Sequence, residues 1–324
     1  MFASARVLLK PYRFEVGAAA IAALILGVGA LIVTYRLVSI PMPAGCFEAW
    51  VQAPGYDYAP DCEHATFLWS SINANEAGPV FGALLFLPFL AGLIAGVPIV
   101  ARELEMGTAQ TAWFLWPSRM RWLGRKLVPV LIALGVAISF AAVAATVLDS
   151  TNPSIEVLHS TSQGPILVVR ALAALGLGTF VGAAFARSLP AFLIGAILCA
   201  GLGSVAENAR FDWLRDRAIP ISQETWYRAH YSFGYFWRTP EGELIPWVDD
   251  TIYSRVPPEA MEQTEDPDSG PEHWLETHGY SLVPRGVTRE IINGWVPIEV
   301  GAMSLIGLVG IAGTAVIVNR RRPR

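Results

Sequence analysis

Residues 102–126 read R-E-L-E-M-G-T-A-Q-T-A-W-F-L-W-P-S-R-M-R-W-L-G-R-K, and they lie between two long apolar runs. The charged residues of this stretch are Arg102, Glu103, Glu105, Arg119, Arg121, Arg125 and Lys126, so cations outnumber anions. A short basic loop between two membrane spans marks the cytoplasmic side. The first residues predict a helix that ends at Gly107, after which Thr108 caps a second helix. Pro117 and Ser118 then end that second helix.

The order of residues in this loop carries more information than its charge, which alone would also fit a loop that merely fixes the topology. The order Arg-Glu-x-Glu-x-Gly-Thr, then Pro-Ser-Arg, then Gly-x-Lys resembles the loop after the second span of ABC-2 type exporter permeases. The usual spacing in that family places the lysine directly after the glycine, whereas here Arg125 intervenes between Gly124 and Lys126. In that family the loop is a coupling helix that docks on the ATP-binding subunit. The resemblance implies ATPase-coupling roles for Arg102, Glu103, Glu105, Gly107, Thr108, Pro117, Arg119 and Arg121.

The composition indicates a polytopic membrane protein. The chain has 324 residues, a mean hydropathy of +0.45, 53% hydrophobic residues and only 15% charged residues, a balance that soluble domains rarely show. Apolar runs long enough to cross about 30 Å of hydrocarbon cover residues 15–38, 78–100, 127–148, 164–186, 191–206 and 296–318. We therefore predict an all-α fold with six transmembrane helices.

The distribution of basic residues predicts the orientation. The N-terminal segment, the loop 101–126, Arg187 and the tail 319–324 are all basic, and all fall on one side of the six-span arrangement. This predicts that both termini lie in the cytoplasm. The chain is then a multi-pass protein of the plasma membrane, in contact with the lipid bilayer. Residues 1–14 are basic and amphipathic; in the resembled family an elbow helix occupies this place, and a plain basic anchor is the alternative.

Two exterior segments follow from this topology. Residues 207–295, between spans five and six, are acidic and rich in aromatic residues, and they are too long for a simple connection, so we predict a small extracellular domain. The exterior loop 39–77 contains Cys46 and Cys62, which we expect to form a disulfide, the alternative being two free thiols. Cys199 lies alone in an apolar span and is expected to be a small buried residue.

Arg170 is the principal ionisable residue inside a predicted span. A charge at this depth is costly and is a functional candidate by default. Arg170 could pair with Glu299, near the outer end of the sixth span, as an intramembrane polar pair. The alternative is a long side chain that reaches the outer interface.

Several kinds of chemistry have no motif in the chain. No G-x-x-x-x-G-K-[ST] phosphate loop occurs, so we predict no cofactor on this chain and place ATP and Mg on a partner ATPase subunit. No nucleophile signature is present. His273 and His278 are five residues apart rather than the four that place two imidazoles on one helix face, so no metal site is predicted. No nucleic-acid partner is expected.

The resemblance implies a permease subunit of an ATP-driven exporter, similar to those of actinobacterial drug or lipid exporters, and not an enzyme. Such a subunit works with an ABC ATP-binding subunit, as a homodimer or with a paired permease subunit. By alternating access it would move a hydrophobic or amphipathic substrate, such as a drug, lipid or peptide, out of the cell. The alternative is a six-span membrane sensor or scaffold protein whose extracellular domain binds a ligand.

Overall fold

The computed structural model describes residues 13–43, 46, 60–115, 118–151, 164–220, 231–246, 251–261 and 270–321. Within these ranges six helices are long and apolar enough to cross a membrane: Phe14–Val38, Cys62–Glu105, Arg119–Ser150, Gly164–Phe185, Ser188–Asp216 and Arg289–Arg320. The predicted helical fold with six candidate membrane-spanning helices is therefore confirmed.

The helices in chain order are α1 (Arg13–Val38), α2 (Pro60–Ile72), α3 (Gly78–Glu105), α4 (Thr108–Leu115), α5 (Arg119–Ser150), α6 (Gly164–Phe185), α7 (Ser188–Asp216), α8 (Pro271–Thr277) and α9 (Arg289–Arg320). The strands are β1 (Ile219–Pro220), β2 (Tyr231–Arg238), β3 (Leu244–Pro246) and β4 (Ser281–Val287).

Helix α6 is the centre of the helical bundle, because it packs extensively against both α3 and α9. The contacts depend on glycine residues, which have no side chain and so let the helix backbones approach closely. A Cβ added at Gly96 of α3 would lie 2.7 Å from the Leu175 carbonyl oxygen of α6, and Gly176 of α6 similarly abuts Gly307 of α9. In lipid, apolar area gives helices little reason to associate, so close backbone approach supplies much of the attraction.

The helices continue beyond the apolar runs that the sequence marks. The predicted exterior loop 39–77 is wrong in its second half, because α2 and a π-helical turn, Asn73–Ala77, join α3 in one continuous helical run. Helix α7 likewise continues to Asp216, and α9 begins at Arg289. A hydropathy window detects the part of a helix that lies in hydrocarbon, whereas the helix itself extends through polar residues at either end.

A four-stranded antiparallel sheet lies between α7 and α9 in sequence, with the strand order β1-β4-β2-β3. One buried apolar cluster joins the sheet to the two flanking helices and consists of Leu214, Ala218, Val287 and Ile292. A second cluster forms beneath the sheet and consists of Trp237, Ile245, Ile252, Val256 and Leu275. The segment between the fifth and sixth spanning helices therefore contains a folded unit, which we call the sheet unit (219–287).

Cys46 and Cys62 form a disulfide, with their Cα atoms 5.3 Å apart. The bond ties the segment after α1 to the first turn of α2. Cys199 is a free and buried cysteine of α7.

Parts of the sequence predictions fall outside the described residues. They include residues 1–12 of the N-terminal amphipathic segment, Pro117 of the coupling motif and residues 322–324 of the basic tail. They also include residues 44–45 and 47–59 of the predicted exterior loop and residues 221–230, 247–250 and 262–269 of the predicted extracellular domain.

Candidate functional site

The segment 102–126 has a helix–break–helix arrangement. Helix α3 ends at Glu105 and α4 begins at Thr108. Gly107 between them has φ of +72°, and a Cβ there would meet open space, so glycine is required for its conformation and not for room. The Thr108 hydroxyl donates to the Glu103 carbonyl (3.4 Å). Ser118 caps α5, because its hydroxyl oxygen accepts from the backbone N–H of Arg121 (3.2 Å).

Two charged side chains near the end of α3, Arg102 and Glu103, form ion pairs. Glu103 forms an ion pair with Lys126, and both side chains are largely buried. Lys126 Nζ also lies 4.8 Å from the centre of the Trp122 ring, a cation–π contact. Arg102 Nη1 lies 3.2 Å from Glu15 Oε1, at the start of α1. The Glu103–Lys126 pair holds the two ends of the segment together, and the Arg102–Glu15 pair joins the segment to α1.

Two further charged side chains reach other helices. The Glu105 carboxylate accepts from the backbone N–H (3.0 Å) and the hydroxyl (2.8 Å) of Ser188, the first residue of α7. Arg119 Nη1 donates to the carbonyl oxygens of Val318 (3.1 Å), Asn319 (2.9 Å) and Arg321 (2.6 Å), at the end of α9. The segment is therefore bonded to both the fifth and the sixth spanning helices.

Four large apolar side chains are exposed on and around α4. Phe114 is 82% exposed and Leu115 is 79% exposed, and Met106 and Met120 are also exposed. Arg121 adds one exposed cation at the start of α5. The neighbouring acidic side chains, Glu103 and Glu105, are bonded within the chain. We use the name α4 patch for four apolar residues and one basic residue: Met106, Phe114, Leu115, Met120 and Arg121. Exposed apolar patches mark protein–protein or membrane interaction sites.

Arg170 is fully buried within α6 and is the centre of a second polar group. Its Nε lies 2.7 Å and its Nη2 lies 2.6 Å from Glu299 Oε1 of α9. The same Nη2 donates to Glu207 Oε1 of α7 (2.8 Å). The structure thus brings together the predicted polar pair and adds a third helix to it, and the side chain does not extend to an outer surface.

The polar group continues on both sides of Arg170. The indole N–H of Trp295 donates to Glu299 Oε2 (2.8 Å), and Arg210 Nη2 lies 2.7 Å from Glu207 Oε2. We call these five residues the charge network; its two cations and two carboxylates are balanced. Breaking one partner from a buried ion pair leaves an uncompensated charge, which is strongly destabilising, so the network holds α6, α7 and α9 in one arrangement.

A cavity of about 490 Å³ lies between α3 and α7, next to the charge network. Its walls are mainly apolar, with Leu85, Phe86, Phe89, Leu90, Leu93, Ala196 and Cys199 among the lining residues. Arg170, Ser204, Glu207 and Asn208 provide its polar end. The shape and lining suit a molecule with a long apolar part and a small polar group. Among the described residues, no group of three His, Cys, Asp or Glu side chains could hold a metal ion.

The sequence did not identify several members of these sites. Polar contacts between helices involve Ser188, Arg321 and Arg210. The sequence around each of them indicates only an ordinary helix end. Arg210 follows Glu207 by three residues, a spacing that places two side chains on one helix face and is the one local signal available. The Glu105–Ser188 contact spans 83 residues, and no local pattern reveals it. The Arg170–Glu299 pair spans 129 residues and was predicted because both are ionisable residues in or near apolar spans.

Comparison with known proteins gives a family match over most of the membrane-spanning region. A family model described as ABC-2 membrane transporter related matches residues 17–210, which is more than half of the chain. No curated protein and no solved structure matches the chain. The matched range covers most of the first five spanning helices and includes the α4 patch and the Glu105–Ser188 contact. The chain therefore belongs to the ABC-2 membrane transporter related family.

Proposed function

We propose that this chain is the permease subunit of an ATP-driven ABC-2 type exporter. Proteins of this family are membrane components of transporters, and the family implies pairing with an ABC ATP-binding subunit. In this proposal the partner subunit binds and hydrolyses ATP with Mg, and this chain carries the substrate across the plasma membrane. The basic segments described above lie in the cytoplasm, and the sheet unit lies outside the cell.

The observation that carries the proposal is the α4 patch. A short helix between two spanning helices presents Phe114 and Leu115 almost fully exposed, while the carboxylates on its flank are engaged inside the chain. Exposed aromatic and aliphatic anchors on a rigid helix are typical of the centre of a protein–protein interface. The ATP-binding subunit is the partner whose contact would bring energy to a chain that lacks a phosphate-loop motif.

The cavity between α3 and α7 supports a hydrophobic or amphipathic substrate. Its apolar walls would accept an acyl or aromatic portion, and Glu207, Ser204 and Asn208 would face a polar group at one end. Closure of two ATP-binding subunits would move the α4 helices of two permease copies, or of this chain and a paired permease, and reopen the cavity toward the exterior. This is alternating access by movement of packed helices.

The first test is whether the chain binds an ATP-binding subunit through the α4 patch. Phe114→Glu and Leu115→Glu place a charge in the proposed interface and should abolish co-purification of the ATPase in mild detergent. Met261→Glu is the matched control, because Met261 is 45% exposed in the sheet unit, far along the chain from α4. All three proteins must elute as monodisperse membrane proteins.

Retained ATPase binding in both α4 variants would contradict the proposed docking surface. A chain that recovers no ATPase at all, and whose sheet unit instead binds a soluble ligand, would favour the sensor or scaffold function.

A further inference from the structure

The turn between α6 and α7 is short and conformationally unusual. Helix α6 ends at Phe185 and α7 begins at Ser188, so only two residues connect them. Ala186 has φ of +54°, a left-handed conformation that residues with a Cβ rarely adopt. Such a residue persists only where the surrounding structure holds it in place.

One side of this turn is held by Glu105. The residue at the N-cap position of α7, Arg187, makes no side-chain hydrogen bond to the helix. The cap comes instead from the Glu105 carboxylate, which accepts from both the N–H and the hydroxyl of Ser188. A carboxylate at this position satisfies an orphan donor and interacts favourably with the helix dipole. Glu105 is also the last residue of α3, three residues before α4 begins.

The other side of the turn is held through Arg119. Arg119 is the first residue of α5, on the far side of α4, and its guanidinium lies 4.7 Å from the centre of the Trp113 ring of α4. It donates to three carbonyl oxygens at the end of α9, one of them that of Arg321. Arg321 Nη1 in turn donates to the carbonyl oxygen of Ala183 (2.9 Å), three residues before Ala186.

The two routes start at opposite ends of α4 and converge on the same turn. We propose that the α6–α7 turn, and through it α7, follows the movement of α4, with Glu105 and Arg119 as the positioning residues that link them. Helix α7 forms one wall of the cavity through Ala196, Cys199 and Gly203. A displacement of α4 therefore moves α7, the cavity wall opposite α3. It also moves α3 and α5, which are joined to α4 in sequence. This inference rests on the proposed ATP-driven permease function.

The test follows the α6–α7 turn in the complete complex. The chain with its ATP-binding subunit is reconstituted in lipid nanodiscs, in a Cys199→Ala background with the disulfide intact. Spin labels are attached through Leu189→Cys, at an exposed position of α7, and Ile25→Cys, at an exposed position of α1, which is not joined to α4 in sequence. Labelled chains are diluted with unlabelled ones so that only distances within one chain are measured. The distance distribution is compared without nucleotide and after trapping with ATP and orthovanadate.

In the parent protein, trapping should shift the distance between the two labels. Glu105→Ala and Arg119→Gln should reduce that shift, and the double variant should remove it, with each distance measured on complexes that retain the bound ATPase. Ser188→Ala removes one hydroxyl and leaves the backbone N–H in place, so it should fold normally and lose only part of the shift. Glu76→Ala, which removes an exposed partner of Arg36 far from the turn, is the matched control and should retain the full shift.

The outcomes separate the inference from the function on which it rests. A full nucleotide-dependent shift in the double variant would overturn the inference and leave the proposed function standing. A parent complex with bound, active ATPase but no shift of Leu189 would overturn it as well. Failure of any ATPase to bind would overturn the proposed function, and this inference with it.

Discussion

Replacing Arg170 by methionine is expected to destabilise the protein far more than replacing Glu299 by glutamine. Arg170→Met leaves the Glu299 carboxylate, which is 2% exposed, with the Trp295 indole as its remaining donor. Glu299→Gln leaves Arg170 with a second carboxylate, because Nη2 also bonds Glu207 at 2.8 Å. The first change isolates a buried charge, and the second removes one.

The magnitudes follow from this asymmetry. Breaking a buried ion pair from one side costs about 3–5 kcal/mol, the value expected for Arg170→Met. Glu299→Gln keeps a carbonyl oxygen that can accept from Trp295, so a loss of about 1–3 kcal/mol is expected. In the double variant Glu299→Gln removes the charge that Arg170→Met isolates. The coupling energy between the two positions should therefore be about 1.5–3 kcal/mol.

The measurement is a double-mutant cycle on reversible unfolding in mixed micelles, followed by tryptophan fluorescence and far-UV circular dichroism. The control cycle uses Arg36 and Glu76, whose side chains are 50% and 31% exposed and whose coupling should be below about 1 kcal/mol. A coupling energy for Arg170 and Glu299 no larger than that of the control would refute the interpretation of the charge network as a buried structural tie.

Three other changes test separate features. Gly107→Ala should cost about 1–2 kcal/mol, because its φ of +72° disfavours a Cβ; the same unfolding assay measures this, and Gly107→Asn should cost less. Reduction of the disulfide, which spans 16 residues, should lower stability by about 3 kcal/mol; if the loop is extracellular, a membrane-impermeant maleimide should label the partly exposed Cys62 in whole cells only after reduction. Gly176→Leu should cost at least about 1–3 kcal/mol by overpacking α6 against α9, seen as a lower thermal midpoint, and an unchanged midpoint would contradict the close packing.

The sequence was sufficient for features that are local. Apolar runs gave the number of spanning helices, and the glycine of the coupling segment gave the break before α4. The disulfide followed from two cysteines in one exterior loop. Each of these inferences needs only neighbouring residues and the physical behaviour of helices in a membrane.

The sequence was insufficient for most contacts that join distant segments, with the Arg170–Glu299 pair as the exception. The network around Arg170 includes Glu207 and Arg210 because α7 continues past its apolar part, and a hydropathy window ends before both residues. The Glu105–Ser188 contact depends on how α3 and α7 meet, which neither segment encodes alone. The four strands of the sheet unit were not predicted, because the prolines and charges of this segment indicate a polar region but do not specify which strands pair.

The pairing of β1 with β4 has a consequence for how this protein could be altered. Ile219 lies opposite Gly286, so the chain enters and leaves the sheet unit at adjacent points. An insertion whose ends are neighbours resembles a detachable module: a tight reverse turn could replace it without pulling α7 and α9 apart. Protein engineers would thus have a natural place to shorten the chain, or to graft an affinity epitope, with little disturbance of the bilayer-embedded helices.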